Sequence, residues 1–366
     1  MDKIPVGILG ATGMVGQQYI ALLADHPWFE VRFVAASPRS AGKTYRELVA
    51  GRWHHAKTGG PGTDSLVVED ANDVSRAAAA RKRGELSFVF SALEMEKETV
   101  KALEEAYAAA GVPVISNAAA NRWTEDVPVL IAEVNPHHAS VIPFQQKARQ
   151  WDRGFIAVKP NCSIQSYTTP LWALMQAGYE VRRLAVTTMQ AVSGAGYPGV
   201  PGLNVIDNVV PYIGGEEEKS EREPLKIFGA VKNGVIENAA FPVISAHCNR
   251  VPVSDGHTAC VSLEFGAKKP SVEEVKRIWE SFSGEPQALN LPMAPSRPII
   301  VREEPDRPQP RKDRERDKAM AVTVGRIRPC PLFDLRFVGL SHNTVRGAAG
   351  GGILNAELLK AKGYLS

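Results

Sequence analysis

The chain has 366 residues, of which 44% are hydrophobic and 23% are charged, a composition typical of globular proteins that excludes a disordered or collagen-like chain. Lysine and arginine number 43 against 40 aspartate and glutamate residues, and this net charge of +3 is too small to indicate nucleic acid as a partner. At roughly 150 residues per domain, the length favours two domains.

The four cysteines and the first residues of the chain indicate the redox state and the cellular location that we expect for the protein. The cysteines, at positions 162, 248, 260 and 330, contain no CxxC pair, so we expect neither a disulfide scaffold nor a metal site. The opening MDKIPVGILG lacks the basic segment and long apolar run of a signal peptide, and no stretch has 18 consecutive apolar residues. We expect a reduced, soluble, cytoplasmic protein without a membrane partner.

The first part of the chain alternates strand and helix patterns. Short apolar runs predict strands over 4–9, 29–36, 86–90 and 112–116, and helical spacing predicts helices over 14–24 and 95–110. Strands that alternate with helices are typical of a parallel, doubly wound α/β sheet.

The pattern changes after residue 157. A helix is predicted after Cys162, and β-rich stretches at 181–192, 257–266 and 319–326 indicate a second, α+β domain. The end of the chain, 343–365, is a glycine-rich turn followed by a helix, which we expect to return to the first domain. The predicted domains are therefore 1–157, completed by 343–366, and 158–342.

Residues 302–318 hold 13 charged residues among 17, seven basic and six acidic, together with three prolines. The charges nearly cancel, and we expect a solvated loop there; a regulatory or subunit-contact loop is the alternative.

The string GILGATGMVG joins the first predicted strand to the first predicted helix. Gly10 and Gly13 allow a tight turn and close approach of the backbone to a pyrophosphate, and Gly16 allows the helix to pack against the sheet. The second strand ends without the acidic residue that binds the ribose of NAD, and Ser37, Arg39 and Ser40 occupy its place. This combination favours the 2′-phosphate of NADP. The glycines of 347–352 predict a second backbone surface against the cofactor.

Cys162 lies in PNCSIQ at the start of a predicted helix. Unpaired N–H groups and the helix dipole at such a position favour a thiolate and can also receive an oxyanion. A lone cysteine is more often a small buried apolar residue, so the segment HCNRVPVSDGHT matters, because it supplies Arg250 and His257. Spacing alone does not choose between His257 and His247 as the titrating partner.

Seven motifs in this order resemble the archaeal and fungal-like branch of aspartate-semialdehyde dehydrogenase: GATGMVG, ASPRSAGK, PNCS, MQAVSGAGYPG, IGGEEEKSEREPLKI, CNRVPVSDGH and LSHNTVRGAAGG. The resemblance covers nearly the whole chain. It implies a Rossmann-type cofactor domain, an α+β catalytic and dimerisation domain, and a homodimer or homotetramer. The implied reaction is the NADP-dependent reductive dephosphorylation of 4-phospho-L-aspartate to L-aspartate 4-semialdehyde, a step toward lysine, threonine and methionine.

The resemblance also implies roles for individual residues. Cys162 matches the nucleophile, His257 the acid/base group and Gln190 the glutamine that orients the substrate. The substrate-binding residues that it implies are Arg122, Asn161, Glu216, Lys219 and Arg250, with Glu217 and Glu218 as alternatives to Glu216. The implied cofactor contacts are Gly10, Thr12, Gly13, Met14, Val15, Ser37, Arg39, Ser40, Ser193, Gly194, Asn343 and Thr344. SALEMEKE lacks the proline that follows SAL in the family, so no cofactor contact is predicted there.

The main alternative is a CoA-acylating reductase, such as malonyl-CoA reductase, on the same scaffold. Glyceraldehyde-3-phosphate dehydrogenase and acylglutamyl-phosphate reductase are disfavoured, because PNCSIQ differs from their CTTN-type and GCYPT-like motifs. A non-catalytic NADP-binding regulator would be expected to lose one of Cys162, Gln190, Arg250 or His257, and all four are present.

Overall fold

The computed structural model describes residues 3–55 and 61–365. Within them the chain forms two six-stranded sheets and a two-stranded hairpin. Residues 1, 2 and 366, which the predicted domain bounds include, lie outside the described ranges. Among the described residues, no helix combines the length and apolarity needed to cross a bilayer.

The first sheet is entirely parallel, with the strand order β3-β2-β1-β4-β5-β6. Its strands are β1 (Ile4–Leu9), β2 (Phe29–Ala36), β3 (Glu69–Asp70), β4 (Phe88–Ser91), β5 (Val114–Ser116) and β6 (Ile156–Val158). The helices of this region are α1 (Met14–Leu23), α2 (Tyr45–Val49), α3 (Pro61–Asp64), α4 (Val74–Lys82), α5 (Lys97–Ala109) and α6 (Ile142–Arg149). This order is that of a doubly wound dinucleotide-binding fold, which confirms the predicted α/β class.

Apolar clusters cover both faces of the first sheet. Val6 and Ile8 of β1 point into one cluster and Leu9 into the other, as alternation along a strand requires. Glycine is needed where β1 meets α1. Gly10 has φ +77°, and a Cβ there would lie 2.4 Å from the carbonyl oxygen of Ala92. A Cβ on Gly16 would lie 2.2 Å from the carbonyl oxygen of Gly10, so glycine at this position allows α1 to approach the turn that follows β1 closely.

The second sheet is mixed, with the order β10-β7-β11-β14-β13-β12. The elements after β6 are α7 (Thr168–Gln176), β7 (Val181–Gln190), α8 (Gly202–Val205), α9 (Glu216–Ile227), β8 (Ala230–Lys232), β9 (Val235–Glu237), β10 (Val243–Arg250), β11 (His257–Phe265), α10 (Val272–Ser281), α11 (Glu285–Ala288), β12 (Ile299–Arg302), α12 (Pro310–Asp313), β13 (Val322–Pro329), β14 (Leu335–Ser341) and α13 (Gly350–Ala361). Short 3-10 turns cover Pro38–Ser40, Pro136–Val141, Ser163–Ser166 and Val192–Ala195, and a π-helical turn covers Val345–Ala349.

One face of the second sheet packs on an apolar core, and its strands alternate accordingly. Leu184 and Val186 of β7 and Val261 of β11 lie in this core together with Trp279 of α10. The last helix, α13, packs elsewhere: Ile353 lies in the same cluster as Val6 of the first sheet.

Two expectations from the sequence are wrong in detail. Cys162 precedes a 3-10 turn, Ser163–Ser166, and the α-helix begins only at Thr168, because Tyr167 between them has φ −137°. The charged segment 302–318 is not simply a solvated loop. Asp313 is 2% exposed and accepts hydrogen bonds from Arg307 Nε at 2.7 Å and Arg316 Nε at 2.9 Å.

Candidate active site

Strand register brings three of the predicted residues to one edge of the second sheet. Gln190 ends β7 and Arg250 ends β10, and the two residues are partners in a parallel pair. β11 runs antiparallel to β7 and starts at the same edge with His257. Gln190 therefore meets Arg250 and His257, which follow 60 or more residues later in the sequence, because their strands end or begin together.

Cys162 reaches this edge from the loop after β6. Its Sγ lies 3.4 Å from Nε2 of His257. The other ring nitrogen of His257, Nδ1, accepts a hydrogen bond of 3.0 Å from the backbone N–H of Ala191. A Cβ on Gly347 would lie 2.8 Å from Cβ of Cys162, so the glycine-rich turn passes directly over the cysteine. His247 lies on an exposed position of β10 and is not in this group.

The first turn of α9 supplies a buried carboxylate. Glu216 accepts hydrogen bonds from Asn161 Nδ2 at 2.9 and 3.0 Å, Gln190 Nε2 at 3.2 Å and Lys219 Nζ at 2.8 Å. Glu217 instead accepts from the backbone N–H of Cys248, and Glu218 is exposed. Of the three adjacent glutamates, Glu216 faces the nucleophile.

Buried cations surround the cysteine. Arg122 is 6% exposed and donates to Glu223 at 2.8 Å and to the carbonyl oxygen of Lys159 at 3.2 Å. Arg250 is equally buried and donates through Nη1 to the carbonyl oxygen of Ala191 at 2.7 Å.

These groups meet the predicted nucleotide site in a cleft of about 420 Å³. The predicted residues that line it are Gly13, Met14, Val15, Arg122, Asn161, Cys162, Ser193, Gly194, Glu216, Lys219, Asn343 and Thr344. Gln190, Arg250 and His257 lie just behind this lining. Thr12 lies in the turn before α1, where its carbonyl oxygen accepts from Gln17 Nε2 at 3.0 Å.

Comparison with known proteins identifies the family. The family model described as semialdehyde dehydrogenase, NAD binding domain, matches residues 5–142, and the model described as semialdehyde dehydrogenase, dimerisation domain, matches residues 171–346. The chain is 48% identical over 357 residues to the aspartate-semialdehyde dehydrogenase of Archaeoglobus fulgidus, covering 98% of both chains. It is 43% identical over 364 residues to that of Schizosaccharomyces pombe, covering 98% of this chain and 99% of that one.

The chain belongs to the aspartate-semialdehyde dehydrogenase family. A crystal structure of the Candida albicans aspartate-semialdehyde dehydrogenase with NADP superposes with a TM-score of 0.88 at 40% identity, covering 99% of this chain and 100% of that one. The resemblance noted in the sequence is thereby confirmed, and the family supports the dehydrogenase over the CoA-linked alternative.

The residues of this aspartate-semialdehyde dehydrogenase fold fit a dinucleotide. α1 follows its N-cap residue Gly13, with no side-chain cap and no acidic residue in its first turn, so its free N–H groups can receive a pyrophosphate. Ser37, Arg39 and Ser40 follow β2 as predicted; Ser37 and Arg39 are exposed, and Arg39 makes no ion pair with a described residue. Asn343 and Ser193 both line the cleft and are joined by a hydrogen bond, in which Asn343 Nδ2 donates to Ser193 Oγ at 2.8 Å.

The electrostatics of the cysteine differ from the expectation. Burial, together with the carboxylate of Glu216, raises the pKa of the Cys162 thiol to about 11, although a lowered value was predicted from a helix N-terminus. Lys159 and Arg122 oppose this shift. The expected α-helix dipole does not act on the thiolate, because a 3-10 turn of four residues stands where the α-helix was expected to start.

The remaining groups also have shifted pKa values. Burial, reinforced by Arg250, lowers the pKa of His257 to about 3. Burial opposes ionisation of Glu216, but Lys219 and the amides of Asn161 and Gln190 outweigh it, so its pKa is lowered and it is a carboxylate.

Several residues of the site were missed in the sequence. Glu223 accepts from both Arg122 and the backbone N–H of Asn161, the latter at 2.6 Å, and it lies seven residues after Glu216 on the same face of α9. That spacing is the signal that could have found it. Leu93, Glu94 and Met95 line the cleft, although no contact was predicted in this segment.

Proposed function

We propose that this protein catalyses the NADP-dependent reductive dephosphorylation of 4-phospho-L-aspartate to L-aspartate 4-semialdehyde, through a thioester on Cys162. The observation that carries the proposal is the contact of 3.4 Å between Cys162 Sγ and His257 Nε2 in a cleft that also holds Arg122 and Lys219. A nucleophile beside an imidazole and two cations suits attack on an acyl phosphate.

NADP would be held by the turn before α1, by Ser193 and Gly194, and by Asn343 and Thr344, with Arg39 on the 2′-phosphate. When bound, NADPH supplies the hydride that reduces the acyl carbon. The Candida albicans aspartate-semialdehyde dehydrogenase was crystallised with NADP, which supports the same cofactor here.

The chemistry begins when the Cys162 thiol loses its proton to solvent, because the thiolate is the nucleophile. It attacks the acyl carbon, the C–S bond forms, and phosphate leaves with the electrons of the C–O bond. Arg122 and Lys219 offset the charge of the departing phosphate, since both are cations on the cleft wall. After reduction, the thiohemiacetal oxyanion is held by N–H groups beside Cys162 and collapses to the aldehyde as the thiolate leaves.

Three further groups orient the amino acid. The Arg250 guanidinium binds the substrate α-carboxylate, and its planar fork suits a bidentate contact that lysine cannot make. The Glu216 carboxylate binds the α-ammonium group, because it is ionised and faces the cleft. Gln190, which donates to Glu216, holds that carboxylate and the acyl group in place.

The test is NADPH formation from L-aspartate 4-semialdehyde and NADP, with phosphate or CoA as the acceptor. We expect activity with phosphate that is lost in Cys162→Ala, and Cys330→Ala, at another free cysteine, serves as the matched control. Activity with CoA alone, or none with either acceptor, contradicts the proposal.

We further propose that residues 1–157 with 343–366 form the cofactor domain and 158–342 the catalytic domain. The place of Ile353 in the same apolar cluster as Val6 supports the return of the chain end to the first domain. Four unpaired cysteines suit a reducing cytoplasmic location, as the thioester chemistry requires.

We also propose a homodimer formed through the open face of the second sheet. Cys260 of β11 is paired with Thr187 on one side and Val338 on the other, so the three side chains stand together on the face away from the core. Cys260 is exposed and the other two are partly exposed. A second copy covering this face agrees with the dimerisation-domain match over 171–346.

Sedimentation equilibrium tests the interface. We expect a dimer for the wild type and a monomer for Val338→Arg, while Leu332→Arg, at a position that is 89% exposed, leaves the mass unchanged. A monomeric wild type, or a Val338→Arg dimer, contradicts this interface.

A further inference from the structure

A single buried arginine connects the glycine-rich turn to three other segments of the chain. Arg346 lies in the π-helical turn Val345–Ala349, and its side chain is buried. Its Nη1 and Nη2 donate to the two carboxylate oxygens of Glu133 at 3.0 and 3.3 Å, and Nη2 also donates to Thr169 Oγ1 at 2.9 Å. Nη1 donates in addition to the carbonyl oxygen of Met320. The planar fork of a guanidinium can make these contacts together, which the ammonium group of a lysine cannot do.

The three partners of Arg346 lie far apart in the sequence. Glu133 lies between β5 and β6, Thr169 lies in the first turn of α7, and Met320 directly precedes β13. Glu133 and Thr169 are both buried. Hydrogen bonds to a charged group are strong where water is excluded, so these contacts hold the glycine-rich turn in one place.

The same turn forms one wall of the cleft. Asn343 and Thr344, which are implied cofactor contacts, line this wall just before Arg346. Gly347, the next residue after Arg346, also lines it, and a Cβ on Gly347 would lie 2.8 Å from Cβ of Cys162. The position of this turn therefore sets the distance between the cofactor-binding wall and the sulfur.

We propose that Arg346 is a positioning residue for the hydride-transfer step. Its contacts with Glu133 and Thr169 hold the turn against Cys162, so that a cofactor on this wall and an acyl group on the sulfur meet at a fixed distance. Arg346 acts through the backbone of the turn, because its guanidinium is bound to buried protein groups. The inference rests on the proposed function, which supplies both the thioester and the hydride.

Hydride transfer is the step that depends most on this distance. The thioester carbon gains a hydrogen with its electron pair, the carbonyl pair moves to oxygen, and the dinucleotide is left oxidised. The two carbons must be close to contact for this transfer, and a misplacement of about 1 Å can cost about 100-fold in rate. A small shift of the turn should therefore slow this step more than it weakens binding of the cofactor, which moves with the turn.

Two variants loosen the turn without leaving a buried charge unpaired. Arg346→Lys keeps the cation beside Glu133 but cannot make all the contacts, and Thr169→Val removes one acceptor at nearly constant size. Hydrogen exchange of the peptide 342–349 and alkylation of Cys162 by iodoacetamide at a fixed pH measure the loosening without any assay of activity. We expect both to become faster, by about fivefold or more in Arg346→Lys and by less in Thr169→Val.

The matched control changes an arginine–carboxylate pair elsewhere in the chain. Arg149, at the end of α6, donates through both Nη atoms to the carboxylate of Asp126. Neither residue is among the described residues that line the cleft. Arg149→Lys should leave the exchange of 342–349 and the alkylation of Cys162 unchanged.

Single-turnover kinetics separate positioning from binding. With NADP and L-aspartate 4-semialdehyde, Arg346→Lys should form NADPH about 100-fold more slowly, while the Kd of NADP changes by less than about threefold. Deuterium on the aldehyde carbon should slow NADPH formation further in this variant, because hydride transfer then limits the rate.

Three results would overturn the proposal: exchange and alkylation in Arg346→Lys that match the wild type, a Kd of NADP that rises as much as the rate falls, or no isotope effect. If Arg346→Lys does not fold, the same measurements on Thr169→Val decide. If the wild type itself forms no NADPH from L-aspartate 4-semialdehyde, the proposed function fails, while exchange and alkylation still decide whether Arg346 holds the turn on Cys162.

Discussion

The side-chain amide of Asn161 donates to both carboxylate oxygens of Glu216, at 2.9 and 3.0 Å. These hydrogen bonds connect Asn161, the residue before Cys162, to the first turn of α9, which lies 55 residues later in the sequence. It also places a buried negative charge close to Cys162, and that charge raises the pKa of the thiol. The group proposed to bind the substrate ammonium therefore also suppresses the free thiolate.

Removing this charge should activate the free cysteine. In Glu216→Gln we expect a lower thiol pKa, and hence faster alkylation of Cys162 by iodoacetamide at pH 8, because Glu216 no longer opposes the thiolate. The same variant should raise KM for L-aspartate 4-semialdehyde. The pH dependence of alkylation, followed by mass spectrometry, measures the first effect. Glu218→Gln, at the exposed neighbour, is the control, and an unchanged or higher thiol pKa in Glu216→Gln contradicts the account.

Arg250 should not tolerate lysine. Its Nη1 fixes the Ala191 carbonyl, and its remaining donors are proposed to bind the substrate carboxylate. For Arg250→Lys we expect a loss of about 2 kcal/mol in kcat/KM, roughly 30-fold, because one charge-assisted contact is lost. Steady-state kinetics measure it against Arg183→Lys, at an exposed position of β7. Equal kinetics in both variants would exclude Arg250 as the carboxylate-binding residue.

Most of the strands were predictable because they depend on local patterns. β1, β2 and β7 follow apolar runs that the sequence displays directly, and β2 covers residues 29–36 as predicted. The two-residue β3 has too short a pattern to detect. The neighbours of Cys162 come from β7, β10 and β11, and their approach is set by strand register, which spacing does not reveal. Only the family resemblance could choose His257 over His247.

The charged segment 302–318 should affect catalysis through a loop contact. Arg314 Nη1 donates to Ser254 Oγ and to the carbonyl oxygen of Asp255, both at 3.1 Å, directly before His257. We expect Arg314→Ala to lower kcat about tenfold while the melting temperature falls by only a few degrees, since the contact orients a loop. Kinetics and thermal melts measure both, with Arg311→Ala as the exposed control in the same segment. An unchanged kcat would show that the loop holds its place without Arg314.

The charged segment was misread because composition does not show burial. Asp313 is buried and forms ion pairs with Arg307 and Arg316, so these charges neutralise each other inside the protein. The short helix α12, which contains Asp313, packs against the loop at Gly256. The raised thiol pKa was missed for the same reason. Desolvation of Cys162 depends on residues that are distant in the sequence.

Lys159 should make stability depend on pH. Burial, reinforced by Arg122, lowers its pKa to about 7 in the folded state, below the ordinary value of 10.5. The unfolded chain therefore binds more protons than the folded chain between pH 7 and 10.5. The charged Lys159 lowers the free energy of unfolding by its full amount below pH 7, and this destabilisation decreases as the pH rises to 10.5. We expect Lys159→Met to be more stable than the wild type at pH 6, by about 2 kcal/mol, and similar at pH 10.5.

Urea unfolding at the two pH values measures the Lys159 effect, with Lys82→Met as the exposed control. A wild type that is more stable than Lys159→Met at pH 6 would mean that the ammonium is satisfied in the folded protein, contrary to its lowered pKa.

The proposed acyl-enzyme on Cys162 is tested most directly by forming it in the absence of phosphate. Enzyme mixed with NADP and L-aspartate 4-semialdehyde should release one NADPH per active site in a burst, and intact-protein and peptide mass spectrometry should locate an aspartyl thioester on Cys162. Added phosphate should discharge the adduct, and CoA should not. The absence of an adduct, its location on another residue, or discharge by CoA alone would contradict the account.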